Sequence, residues 1–183
     1  MRNPLLAGIA AIALLGGCNQ FADQQPANAV AADNAPVLPV RDNAAVLVRP
    51  PANKQAALKL MHERHEGMEE VGKATKAIGR ELKAGAPDLA TIRASAATIA
   101  GFAPKVPSWF PPGTGPDVGK TRAKPAIWQK PQDFAAQSRS FERAALALHA
   151  AARTGDLAAV KTRFADLGKT CKTCHDPYRA EKH

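Results

Sequence analysis

Between Leu58 and Leu82 one stripe of residues recurs at alternating spacings of three and four: Leu58, Met61, His65, Met68, Val71, Thr75, Ile78 and Leu82. That period lays the stripe along one face of a helix of about seven turns and is incompatible with the two-residue repeat of a strand. A helix so long, with one face to bury, needs partner helices, and the rest of the chain supplies them. "PDLATIRASAATIAGF" carries Leu89, Ile92, Ala96, Ile99 and Phe102 on one face behind Pro87, which suits a first helical turn. "QDFAAQSRSFERAALALHAAARTG" spaces Phe134, Phe141 and Leu148 seven apart and stops at Gly155. Asp156 then reads as the N-cap of a fourth helix whose stripe is Leu157, Val160, Phe164, Leu167 and Cys171.

Between the second and third helices lie seven prolines across residues 104 to 131, so that stretch reads as neither helix nor central strand. Trp109, Phe110, Ile127 and Trp128 give it apolar anchors with which to wrap the core. The expected fold is therefore all-α: an antiparallel four-helix bundle over residues 53–183, with one long Pro-rich crossover loop between helices two and three. Composition agrees. Six Phe, two Trp and one Tyr are few for a β-sandwich core, whereas alanine-rich helices pack closely without them.

The N-terminus reads as an export signal. "MRNPLLAGIAAIALLGGC" has Arg2, an apolar run from Leu5 to Leu15 too short to span a bilayer, and small residues before Cys18. "LLGGC" resembles a lipobox, which would make residues 1–17 a lipoprotein signal peptide and Cys18 the lipid attachment point. Asn19, in place of an aspartate, leans towards the outer membrane. Residues 18–52, rich in Ala, Asn, Gln and Pro without a period, read as a flexible tether. The expected location is the periplasm, anchored to a membrane. A net charge of +9 without basic runs interleaved with aromatics excludes a nucleic-acid partner and suits an acidic one.

With Cys18 assigned to lipid, Cys171 and Cys174 remain, in "LGKTCKTCHDPYR". Cys171, Cys174 and His175 stand at i, i+3 and i+4 on the fourth helix, so all three project from one side. Two thiols and an imidazole so placed fit covalent attachment of one haem c, with His175 on the iron. A redox dithiol wants a βαβ context and a helix N-terminus, a zinc site wants four ligands, and a local disulfide has no use for His175; all three fit less well. Pro177, two residues on, removes the bond to Thr173 and should kink or end the helix.

This conjunction resembles the class II c-type cytochromes, the cytochrome c′ family. "KLMHERHEGM" is similar to the family's first helix, "WFPPGTG" and "KPAIW" to its crossover, "FERAALALHAAARTGD" to its third helix and "LGKTCKTCH" to its haem segment. The resemblance implies a monohaem electron carrier of the low-spin cytochrome c-556 type, in which a first-helix methionine, here matched to Met61, is the second axial ligand. The alternative it implies is a high-spin cytochrome c′ binding nitric oxide or carbon monoxide at an open position. His65, one turn from Met61, would compete for the iron or contact a propionate, whereas His62 and His149 read as solvated. Relatives carry an arginine one turn before the methionine, where this match has Ala57. Met68, Trp128, Phe141 and Phe164 would line the haem pocket together with His65 and Arg179. Lys169, Lys172 and Arg179 would face an acidic redox partner, and a second copy of the chain is a further partner, since many relatives dimerise. No substrate pocket beyond the haem is evident, so an enzyme is not expected.

Overall fold

The computed structural model describes residues 49–181. The signal peptide, Cys18 and most of the tether lie outside them. Four long helices make up the domain: α1 (Lys54–Glu81), α2 (Leu89–Phe102), α4 (Pro131–Thr154) and α5 (Leu157–Tyr178). A single turn, α3 (Ala126–Gln129), precedes α4. Among the described residues no helix is long and apolar enough to cross a membrane.

Local chemistry fixes the ends. Asn53 Oδ1 accepts the Ala56 N–H of α1 at 2.9 Å, and Asp156 Oδ1 accepts Ala158 N–H at 2.9 Å and Ala159 N–H at 3.1 Å at the start of α5. At α2 the cap is Asp88, so Pro87 stands before the helix and not in its first turn. Gly155 closes α4 at φ 80°, a left-handed conformation that glycine adopts without a Cβ penalty.

The N-terminal ends of α2 and α5 and the C-terminal ends of α1 and α4 meet at one end of the bundle, where Arg93 Nε donates to Ala152 O at 3.2 Å. Neighbours therefore run antiparallel. Backbones pack closely between α1 and α2, α2 and α4, and α4 and α5; among the described residues α1 and α5 make no such approach. Ile78, Ile92, Ile99, Leu148, Val160 and Leu167 fill the core and are wholly buried.

The crossover differs from its expected form. Ala103–Trp109 is a 3₁₀ helix, with Pro104 in its first turn and Pro107 inside it. A 3₁₀ segment this short tolerates prolines because few of its N–H groups have intrahelical partners. The inward face of α1 also differs. Ala57, Met61, Arg64, Gly67, Val71, Ala74 and Ile78 are buried, while Leu58 and His65 are exposed. Residues 57 and 64 flank Met61 on one side by about 40–60° and residues 58 and 65 flank it equally on the other. The helical period alone cannot choose between them. Trp109 and Thr114 of the crossover cover the side of Arg64, and that decides it.

Candidate haem site

Cys171 and Cys174 are half-buried against the core, and their thiols are not bonded to one another. Burial raises both thiols above their ordinary value, Cys174 to about 11. His175, on the next position, is open to solvent on one side. Partial burial, then the guanidinium groups of Arg179 and Arg122, push its imidazole below the usual histidine range. Pro177 lies in the last helical turn, and the helix ends one residue later at Tyr178, where the extended Arg179 donates its N–H to His175 O at 2.9 Å.

What stands across from His175 follows from register. Phe164 on α5 reaches α1 at Gly79, where a Cβ would lie 3.5 Å from the Phe164 Cζ. His175 is eleven residues beyond Phe164, and on the antiparallel α1 Met68 is eleven residues before Gly79, each about 16 Å along its axis. Met68 is thus level with His175. Met61 lies two turns further, about 10 Å past that level. Its thioether packs on the crossover, since a Cβ at Gly119 would sit 3.4 Å from Cε and 3.8 Å from Sδ. The first-helix methionine level with His175 is therefore Met68 and not Met61; Met68 is half-buried at the edge of the core that also receives Cys171 and Cys174.

Arg64 is one turn before Met68. It supplies the arginine–methionine spacing that Ala57 and Met61 lack, and "RHEGM" held that signal. It is 5% exposed. Its Nη1 donates to Trp109 O at 3.3 Å and Thr114 O at 3.2 Å, its Nη2 to Thr121 Oγ1 at 3.0 Å, and its guanidinium lies 4.7 Å over the Phe110 ring. No carboxylate neutralises this buried charge among the described residues, and desolvation lowers it to about 10.

The other expected pocket residues divide. Phe164 stands between α1 and α5, and Phe141 belongs to the core. Trp128 is half-buried and tied to the crossover, its Nε1 donating to Phe110 O at 3.1 Å and Pro111 O at 3.0 Å. His65 leaves the pocket: its side chain is 67% exposed and its Nε2 lies 3.3 Å from Glu69. His62 is exposed and His149 half-buried. Of the expected docking cations, Lys169 is paired with Asp166 at 3.1 Å and Lys172 with Asp176 at 2.6 Å, whereas exposed Arg179 has Arg122 beside it.

These residues fit a haem on three counts. Two unbonded thiols share the side of α5 that bears His175. Helices α1 and α5 stand apart, with Gly72 one turn after Met68 and Gly168 two turns before His175, and a Cβ at either would meet nothing within 4 Å. Among the described residues the buried Arg64 charge has no counter-ion, which a haem propionate would supply.

Comparison with known proteins agrees. The model of the family described as Cytochrome C′ matches residues 59–179. A cytochrome c′ from Rhodospirillum rubrum is 41% identical over 109 residues, covering 58% of this chain and 71% of that one. The solved cytochrome c′ from Thermochromatium tepidum superposes with a TM-score of 0.64 at 33% identity, covering 72% of this chain and all of that one. A nitric oxide complex of a variant cytochrome c′ from Alcaligenes xylosoxidans superposes with a TM-score of 0.62 at 28% identity, covering 72% and 100%. The name cytochrome c-556 also occurs, for an Agrobacterium tumefaciens protein 36% identical over 122 residues, 66% of this chain and 97% of that one. The chain belongs to the cytochrome c′ family, whose members bind haem c covalently.

Proposed function

We propose that this domain is an exported single-electron carrier with one haem c held between α1 and α5, ligated by His175 and Met68. The observation that supports it is the shared level of Met68 and His175 on helices that stand apart. Bound haem supplies a one-electron couple at iron, and a His/Met pair raises its potential. Cys171 and Cys174 would hold the group, each thiol adding to one of its two vinyl groups. His175 would offer one imidazole nitrogen to the metal, and the Met68 thioether would offer its sulfur from α1. Arg64 offers a buried positive charge to a propionate while its remaining donors hold the crossover in place. Phe164 and the apolar faces of α1 and α5 exclude water, so the group's surroundings change little when charge moves. Anchoring through Cys18, a periplasmic location, an acidic redox partner and the absence of an enzymatic step belong to the same reading.

A second reading has Met68 packed beside the metal without bonding to it, leaving the sixth position open to nitric oxide or carbon monoxide. The relatives that carry the name cytochrome c′, one of them solved with nitric oxide, favour it. The absorption spectrum of the matured protein separates the two. A low-spin spectrum with the weak far-red sulfur-to-iron band supports the carrier. A high-spin spectrum that shifts under carbon monoxide supports the gas binder. A protein that retains no haem after acid extraction contradicts both.

A further inference from the structure

A helix end leaves its last carbonyls without intrahelical donors. At the end of α5 two of these carbonyls, Asp176 O and Tyr178 O, are taken up by the crossover, and no glycine caps the helix. Lys124 Nζ donates to Asp176 O at 3.0 Å, Lys124 N–H to Tyr178 O at 2.9 Å, and Ala180 N–H returns a bond to Arg122 O at 2.8 Å. Arg122 adds a fork to a single acceptor, Nε to Ala180 O at 2.9 Å and Nη2 to the same oxygen at 2.6 Å. Because Pro177 gives the last turn one N–H fewer, the segment just past His175 depends on these bonds.

The same short segment also reaches α1. Thr121 Oγ1 accepts from Arg64 Nη2 at 3.0 Å and from Ala123 N–H at 3.1 Å. Residues 121–124 therefore join two places: one turn before Met68 on α1, and a few residues after His175 on α5. The two helices touch elsewhere through Phe164 and Gly79, near the opposite end. At the haem end no other link between them is formed by hydrogen bonds among the described residues.

We propose that Thr121–Lys124 is a clasp that sets the separation of α1 and α5 across the haem, and thereby decides how readily a ligand occupies the sixth coordination position. This rests on haem lying between those helices. Thr121 and Arg122 act as positioning residues. Thr121 fixes the α1 side through Arg64, and Arg122 fixes the α5 side through Ala180 O. Loosening either changes the distance that Met68, or an incoming gas, must bridge.

The test uses the full-length, haem-loaded protein and its Thr121→Val and Arg122→Gln variants. Both variants should retain one covalent haem and change the carbon monoxide association rate about tenfold in the same direction, the scale of losing a hydrogen bond to a charged group. The double variant should match the larger single effect, because both substitutions open one clasp. Amide exchange at Lys124 and Ala180 should speed up in Thr121→Val with or without haem. If Thr121→Val fails to fold, Arg122→Lys, which keeps the charge and loses the fork, should reproduce the rate change. Unchanged rates in both variants overturn the clasp. So does an effect confined to Arg122→Gln, which would assign it to charge beside His175. The carrier reading fails separately, if Met68→Ala leaves the natural protein's spectrum and carbon monoxide rate unaltered.

Discussion

Gly67 on α1 is where the crossover is seated, and its replacement by alanine has a calculable outcome. A Cβ there would stand 2.6 Å from Cζ2 of Trp109 and 3.3 Å from Cζ3, and nearer still to Cη2. No real carbon approaches so closely, and the indole, 6% exposed and packed on Phe102 at 6.0 Å, has little room to give. Overpacking of this kind costs up to about 3 kcal/mol. Alanine returns about 1 kcal/mol through helix propensity, so the net loss is about 2 kcal/mol. Gly101 on α2 is an internal control, since a Cβ there meets nothing within 4 Å. Gly101→Ala should gain about 0.5–1 kcal/mol. Thermal unfolding followed by circular dichroism and tryptophan fluorescence should show Tm lowered by Gly67→Ala and raised by Gly101→Ala. If Gly67→Ala raises Tm as Gly101→Ala does, Trp109 is not seated on α1 and the placement of the crossover is wrong.

Arg64→Lys keeps the charge but cannot span Trp109 O, Thr114 O and Thr121 Oγ1 together; it should destabilise the protein by about 2–3 kcal/mol in urea unfolding. In the haem-free protein, burial raises the Cys174 thiol from 9.0 to about 11, so the folded state resists ionisation that the unfolded chain permits. The stability this contributes is complete below pH 9 and is lost as pH rises towards 11, which thiolate absorbance and unfolding curves across that window will register. Cys171→Ser and Cys174→Ser should each retain haem through one thioether, and the double variant should release it to acid extraction, as intact mass will show.

The bundle was legible because its determinants are local: the 3–4 stripes of α2, α4 and α5, the cap at Asp156 and the stop at Gly155. Cys171, Cys174 and His175 were legible for the same reason, since three neighbours on one helix fix their own geometry. The opposite side of the site was not. Whether Arg64 or His65 turns inward depends on Trp109 and Thr114, about fifty residues away in sequence. The choice between Met61 and Met68 depends on the level of α1 against α5, which is set at Gly79 and Phe164. Arg122 carries no signal in the sequence, because its acceptor, Ala180 O, is a backbone atom that no residue pattern advertises.

The account stands most directly on which methionine lies opposite His175. Absorption spectra of the haem-loaded protein and of Met61→Ala and Met68→Ala, recorded through the far-red region, decide it. The account predicts a low-spin spectrum with the sulfur-to-iron band in the natural protein and in Met61→Ala, and loss of that band with conversion to high spin in Met68→Ala. Loss of the band in Met61→Ala, with Met68→Ala unaffected, would contradict it.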